Sequence, residues 1–189
     1  MILLRTWQEA FAQLRISRMK YSIRMFVMAV LAAATLSFPL AVHAAQQNLG
    51  SFQDWTAFSD GGDRRICYIG SLPQKAEGNY TRRGDTYVLA THRPAESVFG
   101  EISVEAGYTY KAGSEVEVNI DGRAFRLFTQ GGNAWAYDER ADQELVAAMK
   151  AGSRMIVKGT STRGTLTTDT YSLAGFTAAY EAINRACRG

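Results

Sequence analysis

The stretch 115–128, EVEVNIDGRAFRLF, sets the tightest limit on what this chain can become. Two runs of alternating apolar and polar residues flank Asp121-Gly122, a pair that tolerates the left-handed backbone a two-residue hairpin turn demands. The turn fixes the register. Val118 stands opposite Phe125, and Val116 opposite Leu127, on one face. Glu117 stands opposite Arg126 on the other, which predicts a cross-strand ion pair. A ribbon with one apolar face must bury it against a second layer. The same register makes Glu115 and Glu117 solvent-side strand residues rather than a catalytic carboxylate pair.

The neighbouring sequence repeats the pattern without the helical alternation of a parallel α/β fold. Short segments rich in Val, Ile, Thr, Tyr and Phe occur at 54–60, 64–70, 85–93, 98–106, 133–138, 154–160 and 165–173, divided by Gly, Asp, Asn or Pro. Together with the hairpin they make nine expected strands. That count and spacing predict a mainly β fold, a single antiparallel β-sandwich. Two helices interrupt it. In ERADQELVAAMKAG (139–152), Ala141, Leu145, Ala148 and Met149 form one stripe, Lys150 sits in the last turn and Gly152 acts as a stop. At the C-terminal end Ser172 is a candidate N-cap. Leu173, Phe176, Tyr180, Ile183 and Cys187 then recur at steps of three and four, with Glu181, Asn184, Arg185 and Arg188 on the polar side.

The N-terminal part has a different character. Arg18, Lys20 and Arg24 precede the apolar run Met25–Leu40, and Val42 and Ala44 follow at the spacing a signal peptidase reads. Residues 1–44 therefore read as a cleaved signal peptide, within which residues 1–18 look like an overcalled start ahead of Met19. The competing reading, a membrane anchor, needs about 20 apolar residues, more than the run supplies. Residues 45–189 form one domain. Five of the 21 Lys and Arg residues and one of the 18 Asp and Glu residues lie in the leader. The remainder carries 16 against 17, a net charge near −1. The basic character of the whole chain is thus a property of the leader and gives no argument for nucleic-acid binding. The pairs Arg64–Arg65 and Arg82–Arg83 read as solvated residues.

Both cysteines, Cys67 and Cys187, lie in the exported part. Cys67 is in mid-strand and Cys187 on the apolar stripe of the last helix. Export to an oxidising compartment predicts a Cys67–Cys187 disulfide. The alternative is two buried free thiols packing as small apolar residues.

Catalytic constellations are lacking. His92 is the only histidine after residue 44, it precedes Arg93-Pro94, and no serine stands in a G-x-S-x-G elbow. It reads as structural. DGGD (60–63) reads as turn chemistry rather than a metal loop, and NYT at Asn79 is a formal glycosylation sequon. No catalytic, cofactor or metal site is expected. Two surfaces stand out instead. In GTSTRGTLTTDT (159–170), a turn at Arg163-Gly164 would set Thr160 and Thr162 opposite Thr167 and Thr165, a hydroxyl ladder suited to a glycan or protein partner. Trp55, Trp135, Tyr108, Tyr110 and Tyr137 are a candidate aromatic face, with core packing the commoner use of such residues.

KGTSTRGTLTTDTYSLAGFTAAYEAINRAC resembles the C-terminal signature of the invasion-associated locus B (IalB) family, with SLAGFTAAY its most specific part. The leader, the early Asp54-Trp55 with a cysteine soon after, AGSEVEVNIDG and ELVAAMKAG are similar too. The resemblance covers most of residues 45–189. It implies an immunoglobulin-like β-sandwich secreted to the alphaproteobacterial envelope, with host-cell invasion as the role described for a few members. Many members carry a cysteine pair near the hairpin. LFTQGGNAWAYD (127–138) has none, which places this chain in a divergent branch. The expected function is non-enzymatic: binding an envelope or host protein or glycan, or a structural role, in the periplasm or at the cell surface. A secreted enzyme directed at the cell wall is the alternative. Cleavage after Ala44 gives an exported chain whose N-terminal sequencing reads Ala45-Gln46-Gln47; an intact leader in a membrane fraction would restore the anchor reading.

Overall fold

Alternation decides the strands. The computed structural model describes residues 46–62 and 64–188, so the expected leader and its cleavage site lie outside the described residues. Eleven strands form: β1 Gln46–Phe52, β2 Trp55–Asp60, β3 Ile66–Ser71, β4 Lys75–Gly78, β5 Tyr87–Arg93, β6 Val98–Glu105, β7 Glu115–Ile120, β8 Arg123–Gln130, β9 Asn133–Trp135, β10 Arg154–Thr160 and β11 Leu166–Ser172. The nine expected strands are all present. The two unforeseen ones, β1 and β4, are the edges of the sheet. Each pairs on one side only, so neither QQNLGSF nor KAEG needs the apolar alternation that marks an inner strand.

The sheet runs β1-β2-β3-β5-β6-β9-β8-β7-β10-β11-β4, antiparallel at every step. It folds over, so that β2 and β5 face β11. The Trp55 indole N–H donates to the Ser172 carbonyl at 3.0 Å, and the Thr86 and Tyr171 hydroxyls meet at 3.3 Å. Trp55, Ile69, Val88 and Ile102 from one half of this sandwich bury against Val116, Leu127, Val157 and Tyr171 from the other.

The hairpin β7–β8 has the expected register, with Val118 opposite Phe125, Val116 opposite Leu127 and Glu117 opposite Arg126. Asp121 and Gly122 both have positive φ, 47° and 99°. The ion pair differs. Arg126 reaches diagonally to Glu115, at 2.7 Å, because the Tyr137 hydroxyl, donating to the other Glu115 oxygen, holds that carboxylate in place.

Helix α1, Glu139–Ala151, closes a gap in the sheet. Strand β9 is three residues long and joins β6 to β8 only at Ser103–Glu105 and Phe128–Gln130. Beyond it the two strands diverge, and the Ile102 N–H finds its acceptor in Asp142 of α1, at 2.8 Å. Leu145, Val146, Ala148 and Met149 are buried, and Asp138 caps the N-terminus through the Ala141 N–H. Gly152 ends the helix through crowding rather than handedness. Its backbone is extended, and a Cβ there would meet the Ile120 side chain at 2.6 Å.

Helix α2, Phe176–Arg188, starts later than expected. Ser172 is not its N-cap. It ends β11, and its hydroxyl accepts from the Ala174 N–H in the connecting turn. Gly175 makes that turn possible, with φ of 90° and the Phe52 carbonyl so close that any Cβ would overlap it. Phe176, Tyr180, Ile183 and Cys187 are buried, as the stripe predicts. Phe176 meets Trp55 edge-on with ring centroids 4.9 Å apart.

Cys187, in the last turn of α2, is bonded to Cys67 in β3, closing a loop of 120 residue steps with Cα atoms 6.1 Å apart. In the chain-entropy account so long a loop is worth at most about 4–5 kcal/mol. The unreduced protein should therefore weigh two hydrogens less than the dithiol, and Cys187→Ser should lower unfolding free energy by about 2–5 kcal/mol in urea titrations. Free alkylation of both thiols in denaturant without reductant would contradict this.

Candidate functional site

The Thr-rich hairpin and the loop before β5 together wall a cavity. The β10–β11 register places Gly159 opposite Thr167 and Thr160 opposite Leu166, one residue away from the expected ladder. The turn is longer than Arg163-Gly164. The Ser161 N–H donates to the Thr165 carbonyl, and the Ser161 hydroxyl accepts the Thr165 N–H, so three residues, Thr162 to Gly164, form the loop. The slip turns Thr167, Asp169 and Tyr171 inward. Thr167 is buried, and its hydroxyl bonds the Tyr108 hydroxyl at 2.7 Å. Thr162 and Arg163 stay exposed at the tip.

Asp169 meets Arg83. The guanidinium contacts both carboxylate oxygens at 2.6 Å, donates through Nε to the Ala106 carbonyl at 2.6 Å and reaches the Thr86 hydroxyl at 3.2 Å. The two side chains are only 5% and 3% exposed. Burial pulls the Arg83 pKa down, but the Asp169 contacts outweigh it, and the group stays above its ordinary value. The rings of Tyr80 and Tyr108 lie 5.6 and 5.1 Å from the guanidinium carbon. The pair Arg82–Arg83 is thus not two solvated residues. Arg83 belongs to the interior, and Arg82 alone points to water. The sequence signal for this was the inward slot of Asp169, two residues from Tyr171 on a strand of period two.

Above this floor lies a cavity of about 600 Å³, within the range of small-ligand sites. Its walls come from Asn79–Gly84, Gly107–Thr109 and the Ser161–Thr167 hairpin. Gly84 and Gly107 touch through the hydrogen bond Gly84 N–H to Gly107 carbonyl, 2.9 Å, which seals one side.

The profile of the family described as Invasion associated locus B (IalB) protein matches residues 55–184, a span that contains the whole cavity. The chain belongs to the IalB family. The crystal structure of invasion associated protein B from Bartonella henselae is similar in fold, with a TM-score of 0.52 at 13% identity, covering 76% of this chain and 99% of that one. No curated protein matches by sequence.

The other sequence-derived candidates do not converge on the cavity of this IalB protein. Trp55 and Tyr110 are core residues. Only Tyr108, among the five aromatic candidates, lines the cavity. Trp135 and Tyr137 instead join Phe128 in a separate strip on the outer sheet, with centroids 5.8 and 5.5 Å from the Phe128 ring. Asn79 lies at the cavity wall. Arg65 donates to the Ala186 carbonyl near the end of α2. Asn184, expected on the solvent side, is half-buried and bonds His92. Among the described residues, no three His, Cys, Asp or Glu side chains lie within reach of one metal ion.

His92 is fully buried. Its Nδ1 accepts the Gly100 N–H at 2.9 Å, which leaves Nε2–H to donate to Asn184 Oδ1 at 3.0 Å. The ring stands edge-on to Tyr180 at 5.1 Å. Both nitrogens are engaged and neither meets a cavity. Burial, helped by the charges of Arg188 and Lys150, lowers its pKa against the weaker opposing hydrogen bonds of Asn184 and Thr91. The unfolded chain therefore takes up a proton at this position first, and stability is lost as pH falls below about 6.5. Asp142 acts in the opposite direction. Burial raises its pKa to about 6, so the folded state binds the proton first and gains stability as pH falls from that value toward the ordinary carboxylate range. Urea unfolding of His92→Gln should lack the acid loss, up to about 1.4 kcal/mol per pH unit below pH 6.5, and Asp142→Asn should lack the acid gain. Parallel curves for wild type and His92→Gln would contradict the assignment.

Proposed function

We propose that this IalB protein acts in the periplasm or at the cell surface by binding a ligand in the cavity beneath the Thr162–Gly164 loop, without chemical turnover, and that it takes part there in the host contact that the family's name describes. The observation that carries the reading is the cavity itself, about 600 Å³, walled by hydroxyl, amide and guanidinium groups over a rigid Arg83–Asp169 floor. Such a site orients a polar ligand. It brings no nucleophile and base together, because the one histidine of the exported part is locked between Gly100 and Asn184. Export rests on the leader pattern in residues 18–44. Among the described residues no helix is long and apolar enough to cross a membrane.

Site-specific photocrosslinking in exporting cells tests the reading. A benzophenone side chain at Thr162, at the cavity mouth, should capture a discrete adduct that the same group at Arg140, exposed on α1, does not. Identical adduct patterns at the two positions, or none at either, would remove the cavity from the function.

A further inference from the structure

The charge of the cavity is set by its rim rather than its floor. Arg83 is neutralised by Asp169 through two contacts of 2.6 Å. Arg82 and Arg163 line the same cavity, one from the loop before β5 and one from the β10–β11 loop. Both are exposed, and among the described residues neither takes part in an ion pair or a side-chain hydrogen bond. No carboxylate lines the cavity, and Asp85, the nearest in sequence, lies outside the lining. Two exposed arginines therefore line a cavity whose walls carry no carboxylate. The same lining adds the neutral hydroxyls of Thr81, Thr109, Thr162 and Thr165 and the amide of Asn79, groups that both donate and accept. The phenol rings of Tyr80 and Tyr108 add flat apolar area to the wall.

Each part of this lining restricts the ligand. Guanidinium groups select carboxylate, sulfate or phosphate, which they can grip with two parallel hydrogen bonds. Threonine hydroxyls and an asparagine amide match a ligand that itself presents many hydroxyls. Tyrosine rings accept the C–H face of a pyranose. A bare inorganic anion uses only the first of these features, and a neutral sugar only the last two. An acidic peptide would need a free strand edge on which to pair its backbone, which the lining does not offer.

Resting on the binding reading above, we infer that the cavity recognises an anionic saccharide, with Arg82 and Arg163 holding its charged group and the Thr and Tyr walls holding the sugar. Two sources share this chemistry: phosphorylated sugars of the bacterium's own envelope, and sulfated or carboxylated glycans outside the cell.

Titration calorimetry on the protein purified from exporting cells separates the possibilities. The probes are glucosamine 6-phosphate, a heparin-derived hexasaccharide, trigalacturonate, maltotriose and inorganic phosphate. At least one of the three anionic saccharides should bind at least roughly tenfold more tightly than maltotriose and than inorganic phosphate. The phosphorylated probe leading points to the envelope source, and the sulfated or carboxylated probes leading point to the external one. Arg82→Gln with Arg163→Gln should weaken that binding roughly tenfold or more while leaving the thermal midpoint unchanged. Arg140→Gln with Arg185→Gln, a charge-matched change at two exposed helix positions outside the cavity, should leave it intact. Equal binding of maltotriose, equal binding of inorganic phosphate, or an unaffected double variant would each overturn the inference. Silence of all three anionic probes, with the Thr162 crosslink still specific, overturns the ligand class and leaves the binding reading standing. Silence of the probes without that crosslink overturns both.

Discussion

The Arg83–Asp169 pair is the contact around which the open end of the sandwich is arranged. It joins the loop before β5 to the middle of β11, across a sequence distance of 86 residues. Through Nε it also holds the Ala106 carbonyl just beyond β6. Three segments that diverge in the chain are thereby brought to one point. Two charges taken out of water are costly, and their mutual attraction compensates only when geometry and further hydrogen bonds are good. Both conditions hold. The contact is bidentate, Thr86 and Ala106 use further guanidinium N–H groups, and two tyrosine rings flank the cation. Among the described residues no buried side-chain polar atom lacks a partner. Losing one member of such a pair leaves the other buried and uncompensated, a cost of about 3–5 kcal/mol. A hydrophobic pair of equal volume would hold the walls as well, but would not bring a guanidinium between Tyr80 and Tyr108.

The other end is closed by the two helices in different ways. Helix α1 fills a divergence of β6 and β8 and supplies, through Asp142, the acceptor that a neighbouring strand would have given Ile102. Helix α2 lies across β1, β2, β3 and β5 and is bonded at its last turn to β3. The helices meet around His92, whose partners come from α2 and from the β6 segment beside α1. A neutral histidine suits that place. It spans two polar groups with one flat ring and packs against Tyr180 and Phe99. This end is stabilised by burial and covalent closure, and it leaves the opposite end free to carry a polar cavity.

What the sequence made legible follows from what was periodic. Inner strands bury one face and so alternate, and all nine were readable, together with the β7–β8 register, because Asp121-Gly122 admits only one turn length. Edge strands β1 and β4 carry no such constraint and were invisible. The errors near the site share one cause: local side-chain bonds that period counting does not see. The Ser161 hydroxyl on Thr165 lengthens the β10–β11 turn by one residue, and a shift of one residue exchanges the faces of a strand. That exchange turned a supposed surface ladder of threonines into an inward Thr167 and Asp169. In the same way, the hydrogen bond from Tyr137 moved the ion pair of Arg126 from Glu117 to Glu115. The disulfide needed only two cysteines, one strand and one stripe. The pairing of Arg83 with Asp169 needed the corrected register first.

The one-residue shift also sets how much charge the cavity carries. In the expected register Asp169 would point outward, Arg83 would have no buried acceptor, and three arginines would crowd one mouth with like charge. With Asp169 inward, one positive charge is cancelled beneath the tyrosines and two remain at the rim. Arg83 then serves as a fixed strut, and the field at the mouth comes from the exposed side chains of Arg82 and Arg163. The floor is fixed because its side-chain polar atoms are paired, whereas the two rim guanidinium groups meet water. Burial, pairing and exposure thus divide three chemically identical side chains into one buried structural residue and two exposed at the cavity rim.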